Sequence, residues 1–333
     1  MKIVFMGTPE IARRVLSDVI ALCEEKPELE IQAVFTQPDK PVGRKQILTK
    51  PPVKVLAEEH EIPVYQPKRI KREKWVSLLK DLAPDLILVA AFGQILSEEI
   101  LAIPRFGCMN LHTSLLPKYR GAAPIQWAIV KGETKTGVTL MQMDKGMDTG
   151  DILSQEEVAI DPKETADTLY EKLSRKAGEM AKKALLLLAE GGSYTPLKQK
   201  EEEATYAPII QKEDGRIDWH QGAKAVDCLV RGFAGWPGAY SFLEGKKVTL
   251  LETTPRVLTE GVLEEKEGSM EPVERLRDGA IVSALAGGKH PRFLVRSKDG
   301  LVEILRLQME GKKPMDAEAF LRGIRSLPEG FDL

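Results

Sequence analysis

The chain has few cysteines and histidines, and this shortage excludes two kinds of site. Among its 333 residues there are three cysteines, Cys23, Cys108 and Cys228, which are odd in number and widely spaced. Such a set gives neither a disulfide framework nor the ligand spacing of a zinc site, and the four histidines add no metal motif. We therefore expect no bound metal, and the free thiols favour the reducing environment of the cytoplasm.

Long apolar runs are absent as well. No stretch reaches the roughly 18 consecutive apolar residues that indicate a transmembrane helix. The N-terminus lacks the charged head, apolar core and small-residue cleavage site of a signal peptide. A net charge of -2 provides no general cationic field, so any binding of nucleic acid must rest on local patches. The sequence predicts a cytoplasmic protein with no membrane partner.

The apolar residues that are present follow the alternation of an α/β protein. Hydrophobic residues make up 43% and charged residues 29%, which is ordinary for a globular chain, and the length favours two domains. The apolar runs KIVFMG, IQAVFTQ, DLILVAA and CMNLH are separated by amphipathic helical stretches, a pattern typical of a parallel sheet covered by helices. Strands are also predicted at residues 137–143 and 152–160, and a helix over 165–189. The first domain is therefore predicted to be a Rossmann-like, mostly parallel sheet.

The second half differs in composition. A polar stretch over residues 198–204, rich in lysine and glutamate, carries no apolar period. One predicted helix over 223–233 then leads into short alternating runs with glycine-containing turns, which favour a small antiparallel barrel or, almost equally, an open sandwich. Cationic residues cluster in this half at Lys289, His290, Arg292, Arg296 and Lys298. We predict a first domain over 1–190, a linker over 191–206 and a β domain over 207–333.

Three polar residues form a candidate site. Asn110 and His112 alternate along one predicted strand, so both side chains point to the same face, and Pro117 and Gly121 mark an exposed loop just beyond it. Open α/β sheets bind ligands at the carboxyl ends of their strands. Asp148 lies in a glycine-flanked motif, where the backbone can approach a ligand closely. Each residue alone has a structural interpretation, as a hydrogen-bonding histidine or a turn aspartate. Together, an amide, an imidazole and a carboxylate suit acyl chemistry.

Three other segments allow more than one interpretation. The turn at Gly7 lacks the later glycines of a dinucleotide fingerprint and is interpreted as a sharp strand-to-helix turn. Residues 36–54 hold Asp39 as the only acid among several cations, and they form either a solvated loop or an arm that contacts phosphates. Residues 90–97, AAFGQILS, suit either the core or the wall of a pocket for a flat heterocycle.

Three motifs carry a specific family resemblance. MNLHTSLLPKYRGAAPIQWAI, GVTLMQMDKGMDTGDI and FTQPDKPVGR resemble the methionyl-tRNA formyltransferases of bacteria and organelles, and the similarity covers most of the chain. The resemblance implies a Rossmann-like formyltransferase domain, a C-terminal OB-like barrel that helps to hold initiator tRNA, and 10-formyltetrahydrofolate as the donor. The expected activity is transfer of the formyl group to the α-amine of methionine on initiator Met-tRNA, for translation initiation. We expect the protein to act as a monomer.

The resemblance also assigns roles to residues. It makes Asn110, His112 and Asp148 the catalytic residues. The residues expected to line the folate pocket are Phe92, Gly93, Gln94, Ile95, Leu96, Ser114, Leu115, Leu116, Pro117, Met143 and Asp144. The residues expected to contact the tRNA acceptor stem are Lys40, Arg44 and Lys45. Selection of the initiator could exploit a weak first base pair, because opening it requires less unstacking energy.

The expected chemistry is addition of an amine to the formyl carbon, which makes the carbonyl oxygen negative. Asn110 would donate an amide N–H and His112 a ring N–H to that oxygen, and loss of such a donor costs roughly 3 to 4 kcal/mol. Asp148 would orient His112 and accept, directly or through a water, the proton that the amine loses. The leaving folate nitrogen can be protonated on departure, so the reaction needs no metal.

Other functions share some of these features. A folate-dependent formyltransferase acting on an amino sugar nucleotide or a small amine would have the same catalytic module without an RNA platform. Enzymes that hydrolyse formyl-folate usually carry a different appended domain. An inactive RNA-binding module is disfavoured by the intact Asn110, His112 and Asp148. The basic loop and the complete second domain favour tRNA as the acceptor.

Overall fold

The computed structural model describes residues 1–43, 45–257, 276–284, 292–324 and 328–332. Its contacts divide the chain into two compact units. The first unit comprises Met1–Pro124, Lys135–Ala159 and Thr168–Pro208, and the second comprises Ile125–Thr134, Ile160–Asp167 and Ile209–Leu333. None of the described helices is both long enough and apolar enough to cross a membrane.

The first unit is built on strands and helices that alternate along the chain. Its strands are β1 (Lys2–Gly7), β2 (Glu30–Phe35), β3 (Lys40–Val42), β4 (Ile47–Thr49), β5 (Val64–Tyr65), β6 (Leu86–Ala90), β7 (Cys108–His112), β8 (Arg120–Gly121), β9 (Lys135–Gln142), β10 (Ile152–Ala159) and β11 (Tyr206–Ala207). The helices are α1 (Glu10–Glu25), α2 (Pro52–Glu59), α3 (Glu73–Leu82) and α4 (Glu98–Leu101). Two helices include residues of both units, α5 (Pro124–Val130) and α6 (Ala166–Ala189).

A seven-stranded sheet in the order β10-β9-β7-β6-β1-β2-β5 forms the centre of this unit. The five strands from β7 to β5 are parallel, while β9 is antiparallel to β7 and β10 is antiparallel to β9. All five residues of β6 and of β7 are buried, as expected for strands covered on both faces. The predicted mostly parallel sheet is confirmed, and the predicted strands over 137–143 and 152–160 are its antiparallel edge.

The carboxyl ends of the parallel strands lie at one edge of this sheet, where ligand sites form in such folds. The first turn reaches that edge at Gly7. A Cβ atom on Gly7 would lie 2.6 Å from the Ala12 Cβ atom and 2.8 Å from the Ala90 carbonyl oxygen. The glycine is therefore required by the close packing of α1 and β6 on β1.

The second unit contains an antiparallel sheet. Its strands are β12 (Ala239–Leu243), β13 (Lys246–Val257), β14 (Ile281–Ala284), β15 (Arg292–Ser297), β16 (Gly300–Met309) and β17 (Met315–Asp316), and its further helices are α7 (Ala223–Gly232) and α8 (Ala317–Gly323). The order is β12-β13-β16-β15-β14, with β17 paired to β16. Trp219, Phe293 and Phe331 stack in its core, with ring centroids 5.1 and 6.2 Å apart. A parallel α/β unit followed by an antiparallel OB-like unit confirms the predicted fold class.

Two arginines of the predicted cationic cluster in this unit have internal partners. Arg292 donates two hydrogen bonds to the Glu303 carboxylate, at 2.8 and 2.7 Å. This pairing, together with Arg256, lowers the pKa of Glu303. Arg296 is buried and donates to backbone carbonyl oxygens. These two side chains therefore stabilise the sheet, whereas Lys289 and His290 lie outside the described residues.

Candidate active site

Asn110 and His112 lie on β7, next to the centre of the sheet. Asn110 is paired with Val89 on one side and Met141 on the other, and His112 is paired with Thr139. Their exposed fractions are 9% and 6%. Because side chains alternate along a strand, the amide and the imidazole point to the same face. A strand held on both sides keeps these two groups in place.

The hydrogen bond of the His112 ring identifies which nitrogen faces the site. Nε2 lies 2.9 Å from the carbonyl oxygen of Tyr119. A carbonyl oxygen only accepts, so Nε2 must carry the hydrogen, and a neutral imidazole then has its lone pair on Nδ1. Nδ1 lies 3.7 Å from Oδ2 of Asp148, with both side chains largely buried. In its neutral form, His112 can therefore accept a proton at Nδ1, whereas the sequence predicts that the ring donates an N–H to the substrate oxygen.

Asp148 is held by its own loop, residues 143–151, which we call the Asp148 loop. The backbone of Asp148 has a φ of 55°, in the left-handed region that aspartate tolerates better than most residues. The N–H of Gly121 donates to Oδ2 at 2.8 Å. A Cβ atom at Gly150 would lie 1.8 Å from the Gln142 carbonyl oxygen, so only glycine fits this turn. The loop thus presents the carboxylate toward His112.

The Asn110 carboxamide is available to a ligand. Within the described part of the chain it forms no side-chain hydrogen bond, although little of it is exposed. Its amide atoms are not among the fully buried unpaired polar atoms of the described residues, so they reach the accessible surface, where a ligand can bind them. Two residues earlier on the same strand, burial raises the pKa of the Cys108 thiol to about 12, so this thiol is not an available nucleophile.

The residues predicted to line the folate pocket after β6 have different environments. Phe92 and Leu96 are buried in the core of the first unit, and Ile95 is 71% exposed. Gln94 donates to the Pro67 carbonyl oxygen and accepts from the Ile70 N–H, at 2.8 and 2.7 Å. The Gly93 backbone has a φ of 78°. The Phe92 carbonyl oxygen accepts from Thr8 Oγ1 and Gln37 Nε2, at 3.2 and 3.1 Å. These contacts fix the loop and leave the Ile95 side chain exposed.

The predicted pocket residues after β7 form a tight turn. Ser114 donates from Oγ to the Lys118 carbonyl oxygen at 2.6 Å, and Leu116 packs in a small buried cluster that Met143 also contacts. The Leu115 side chain packs against Gly137 of β9, where a Cβ atom would lie 2.5 Å from Leu115 Cδ2. The Leu116–Pro117 peptide bond is cis. These contacts fix the turn that follows His112 in the chain.

An open, shallow cavity of about 450 Å³ lies beside the Asp148 loop. It is lined by Glu98, Leu101, Ala102, Asp144 and Lys145. Of these, only Asp144 belongs to the predicted pocket. Its Oδ1 accepts from Gly146 N–H and Thr149 Oγ, which shapes the loop. Sequence reasoning missed the α4 residues because nothing in a short helix indicates which cavity it lines.

The basic segment predicted to contact tRNA is a β hairpin of β3 and β4 at the same edge of the sheet. Lys40 and Lys45 are exposed, and Arg44 lies outside the described residues. The hairpin is anchored at its base by Asp39, whose carboxylate lies 3.0 Å from Lys54 Nζ. Across the described residues, no group of three or more His, Cys, Asp or Glu side chains is arranged to hold a metal ion.

Two residues that sequence reasoning missed contact the catalytic region. Gln199 donates from Nε2 to the carbonyl oxygens of Asp148 and Gly150, at 2.9 and 2.7 Å. Its Oε1 accepts from Arg120, which is 1% exposed. The only signal was an arginine in the KYRG sequence after β7. Gln199 itself lies in the polar segment interpreted as a linker.

Comparison with known proteins gives the family. The Formyl transferase family model matches residues 1–185, and the model described as Formyl transferase, C-terminal domain, matches residues 209–325. A methionyl-tRNA formyltransferase of Geobacter metallireducens is 44% identical over 328 residues, which cover 98% of this chain and 97% of the relative. That of Caldanaerobacter subterraneus is 42% identical and covers 99% of both chains. This chain belongs to the methionyl-tRNA formyltransferase family. The family predicted from the three motifs is thereby confirmed.

The fold of this methionyl-tRNA formyltransferase family member is shared by solved structures of more distant proteins. The sugar 3N-formyl transferase WlaRD, in the presence of dTDP and 5-N-formyl-THF, matches with a TM-score of 0.63 at 20% identity, over 94% of this chain and 99% of that one. An N-formyltransferase from Helicobacter canadensis, in complex with folinic acid and dTDP-3-aminofucose, matches with a TM-score of 0.61 at 21% identity, over 91% and 98%. At these identities the likeness shows the fold alone. Family membership makes the chain a formyl-transferring enzyme.

Proposed function

We propose that this protein transfers the formyl group of 10-formyltetrahydrofolate to the α-amine of methionine on initiator Met-tRNA. The observation that carries the proposal is the approach of His112 Nδ1 to Asp148 Oδ2, at 3.7 Å, beside an Asn110 amide without a partner in the described residues. A proton acceptor and a hydrogen-bond donor on one strand face are the two groups that acyl transfer to an amine requires.

Asn110 is proposed to stabilise the negative charge that develops on the formyl oxygen. The amine nitrogen bonds to the formyl carbon, and electrons move onto the carbonyl oxygen. The Asn110 N–H is held by β7 in a largely buried place, where a hydrogen bond to an anion is stronger than in water. No rearrangement of the strand is needed as the charge forms.

His112 is proposed to take the proton that the amine loses. Nδ1 accepts it, because the hydrogen on Nε2 is already donated to Tyr119. The Asp148 carboxylate then stabilises the cationic ring, and Nδ1 returns the proton to the folate nitrogen as the bond from that nitrogen to the formyl carbon breaks. Proton and electrons therefore balance without a second acid.

A folate-derived formyl donor follows from the family, and we propose that it is the 10-formyl form. The cavity beside the Asp148 loop, with the backbone of residues 92–96, is the proposed place of the pterin ring. We propose that tRNA approaches along the basic hairpin, with Lys40, Arg44 and Lys45 near the acceptor stem. The catalytic unit is proposed to span 1–190, and residues 207–333 are proposed to help bind the tRNA. The proposed location of the protein is the cytoplasm.

The deciding experiment is formylation of charged initiator tRNA by the purified chain, with and without 10-formyltetrahydrofolate. Elongator Met-tRNA and an amino sugar nucleotide serve as alternative acceptors. We expect formyl-methionine only with the folate donor and a preference for the initiator. Formylation of the sugar nucleotide with none on tRNA would show instead that the chain acts on the acceptors of its distant structural neighbours.

A further inference from the structure

The segment of residues 68–74 carries a dense positive charge at the site edge of the sheet. Its cations are Lys68, Arg69, Lys71, Arg72 and Lys74, and Glu73 is its only carboxylate. All five cationic residues are exposed, and none forms an ion pair with another residue that the structure describes. Lys74 Nζ lies 4.3 Å from the centroid of the Trp75 ring. A cluster of like charges without carboxylate partners is suited to an anionic ligand.

This segment is tied to both the hairpin and the pocket loop. It follows β5, which is paired in parallel with β2, so both strands end at the same edge. Gln66 donates to the Gln37 carbonyl oxygen and to Asp39 Oδ1, which joins it to the base of the hairpin. On the other side, the two hydrogen bonds of Gln94 fasten the segment at Pro67 and Ile70.

We propose that residues 68–74 bind phosphates of the tRNA substrate and extend the hairpin into one cationic surface. This inference rests on the proposed acceptor. Five cations spread over seven residues match the repeated charges of a nucleic-acid strand, which releases counterions when it binds. Five cations are more than the few carboxylates of a folate tail would need as partners.

The test is the double variant Arg69→Gln/Lys71→Gln, whose side chains flank the buried Ile70. Lys26→Gln/Arg105→Gln is the matched control, because it removes the same two charges from exposed positions before β2 and β7, at the opposite edge. We measure the Kd of each variant for Met-tRNA at several salt concentrations, and KM for the folate donor. Removing two phosphate contacts should weaken binding several-fold and make the slope of log Kd against log salt shallower by about 1 to 2.

The control should bind tRNA as the wild type does. An unchanged Kd and salt slope in the test variant would overturn the inference. So would an unchanged Kd for tRNA together with a higher KM for the folate donor that appears only when the donor carries a polyglutamate tail. The Kd for tRNA is measured without turnover, so this result does not depend on the outcome of the formylation assay. Wild-type protein that binds tRNA but does not formylate it would contradict the proposed function alone.

A second inference concerns how the Asp148 loop is held. Gln199 bridges the two carbonyl oxygens of Asp148 and Gly150 with one amide group. The other end of the same amide accepts two hydrogen bonds from Arg120, at 3.1 and 2.9 Å. Arg120 also pairs with both Glu201 oxygens at 2.9 Å. The residue after Arg120 is Gly121, whose N–H binds the Asp148 carboxylate.

These contacts hold Asp148 from both directions, by its backbone and by its carboxylate. The carboxylate must stay near His112 Nδ1, and a displacement of about 1 Å in such a site can reduce the rate a hundredfold. We infer that Gln199 is a positioning residue for the transfer reaction and acts through Asp148. This inference rests on the proposed role of Asp148.

A double-mutant cycle between Gln199→Ala and Asp148→Asn tests it. Gln199→Ala should lower kcat about 10- to 100-fold with little change in either KM, because binding groups are untouched. Gln199→Glu should lose similar activity, since it keeps an acceptor for Arg120 but loses both donors to the loop. In the Asp148→Asn background, Gln199→Ala should lower kcat by less than about twofold.

A crystal structure of Gln199→Glu gives a readout that does not depend on turnover. We expect the distance between Asp148 Oδ2 and His112 Nδ1 to increase. Losses that multiply in the double variant, or an Asp148 loop that keeps its place, would overturn the inference. A displaced loop with normal formylation would leave the positioning intact and contradict the proposed role of Asp148.

Discussion

Replacing His112 with glutamine is expected to lower kcat for formyl transfer by about a thousandfold, within the range for loss of a general base. A glutamine amide can still donate to the Tyr119 carbonyl oxygen, as Nε2 does. It cannot accept the amine proton at the position of Nδ1, which faces Asp148. The variant thus removes the base while the structural hydrogen bond is kept. Single-turnover formylation with both substrates saturating measures the chemical step.

The matched control for this prediction is His60→Gln. His60 follows α2 in the same unit and has 39% of its side chain exposed. It should formylate as the wild type does. If kcat of the His112 variant stays within about tenfold of the wild type, another group takes the proton, and the role proposed for Nδ1 is wrong.

Asn110→Ala is expected to lower kcat by about 10²- to 10³-fold, and Asn110→Asp should lower it further. Alanine only removes the donor to the developing oxyanion. Aspartate has nearly the same shape as asparagine, but it places a negative charge where the negative oxygen forms. The order of the two variants therefore reports on the electrostatic role.

A structural role for Asn110 predicts the opposite order, because aspartate fills the space and alanine leaves a gap in a strand that is buried throughout. Measured kcat for the two variants, with the Kd for the folate donor as a check on the pocket, distinguishes these outcomes. Activity of Asn110→Asp above that of Asn110→Ala would contradict oxyanion stabilisation by this amide.

Local patterns were sufficient for the strands that carry the site. CMNLH predicts a buried strand and β7 covers the same residues, because a short apolar run bounded by turn residues has few other ways to bury its side chains. The same reasoning predicted α6 to within one residue at its start. The hairpin of β3 and β4 was predicted only as a loop, because its residues are exposed and show no alternation between a core face and a solvent face.

Contacts between distant residues could not be derived in this way. Gln199 and Asp148 are separated by 51 residues, and Gln199 lies in a polar stretch with no periodic pattern. Phe92 and Leu96 suited a core or a pocket wall from sequence, and only the structure shows that both side chains pack in a core cluster. The assignment of the His112 hydrogen depends on a turn that brings the Tyr119 carbonyl back to the ring.

Residue order alone thus determined the α/β class, the family and the strand face shared by Asn110 and His112, since each depends on periodicity or on contiguous motifs. Only the tertiary structure decided which nitrogen of His112 meets Asp148, which side chains hold that carboxylate, and which cations lie together at the site edge. Those features arise from chain segments that are brought together when the sheet forms, and no spacing along the sequence encodes the distances between them.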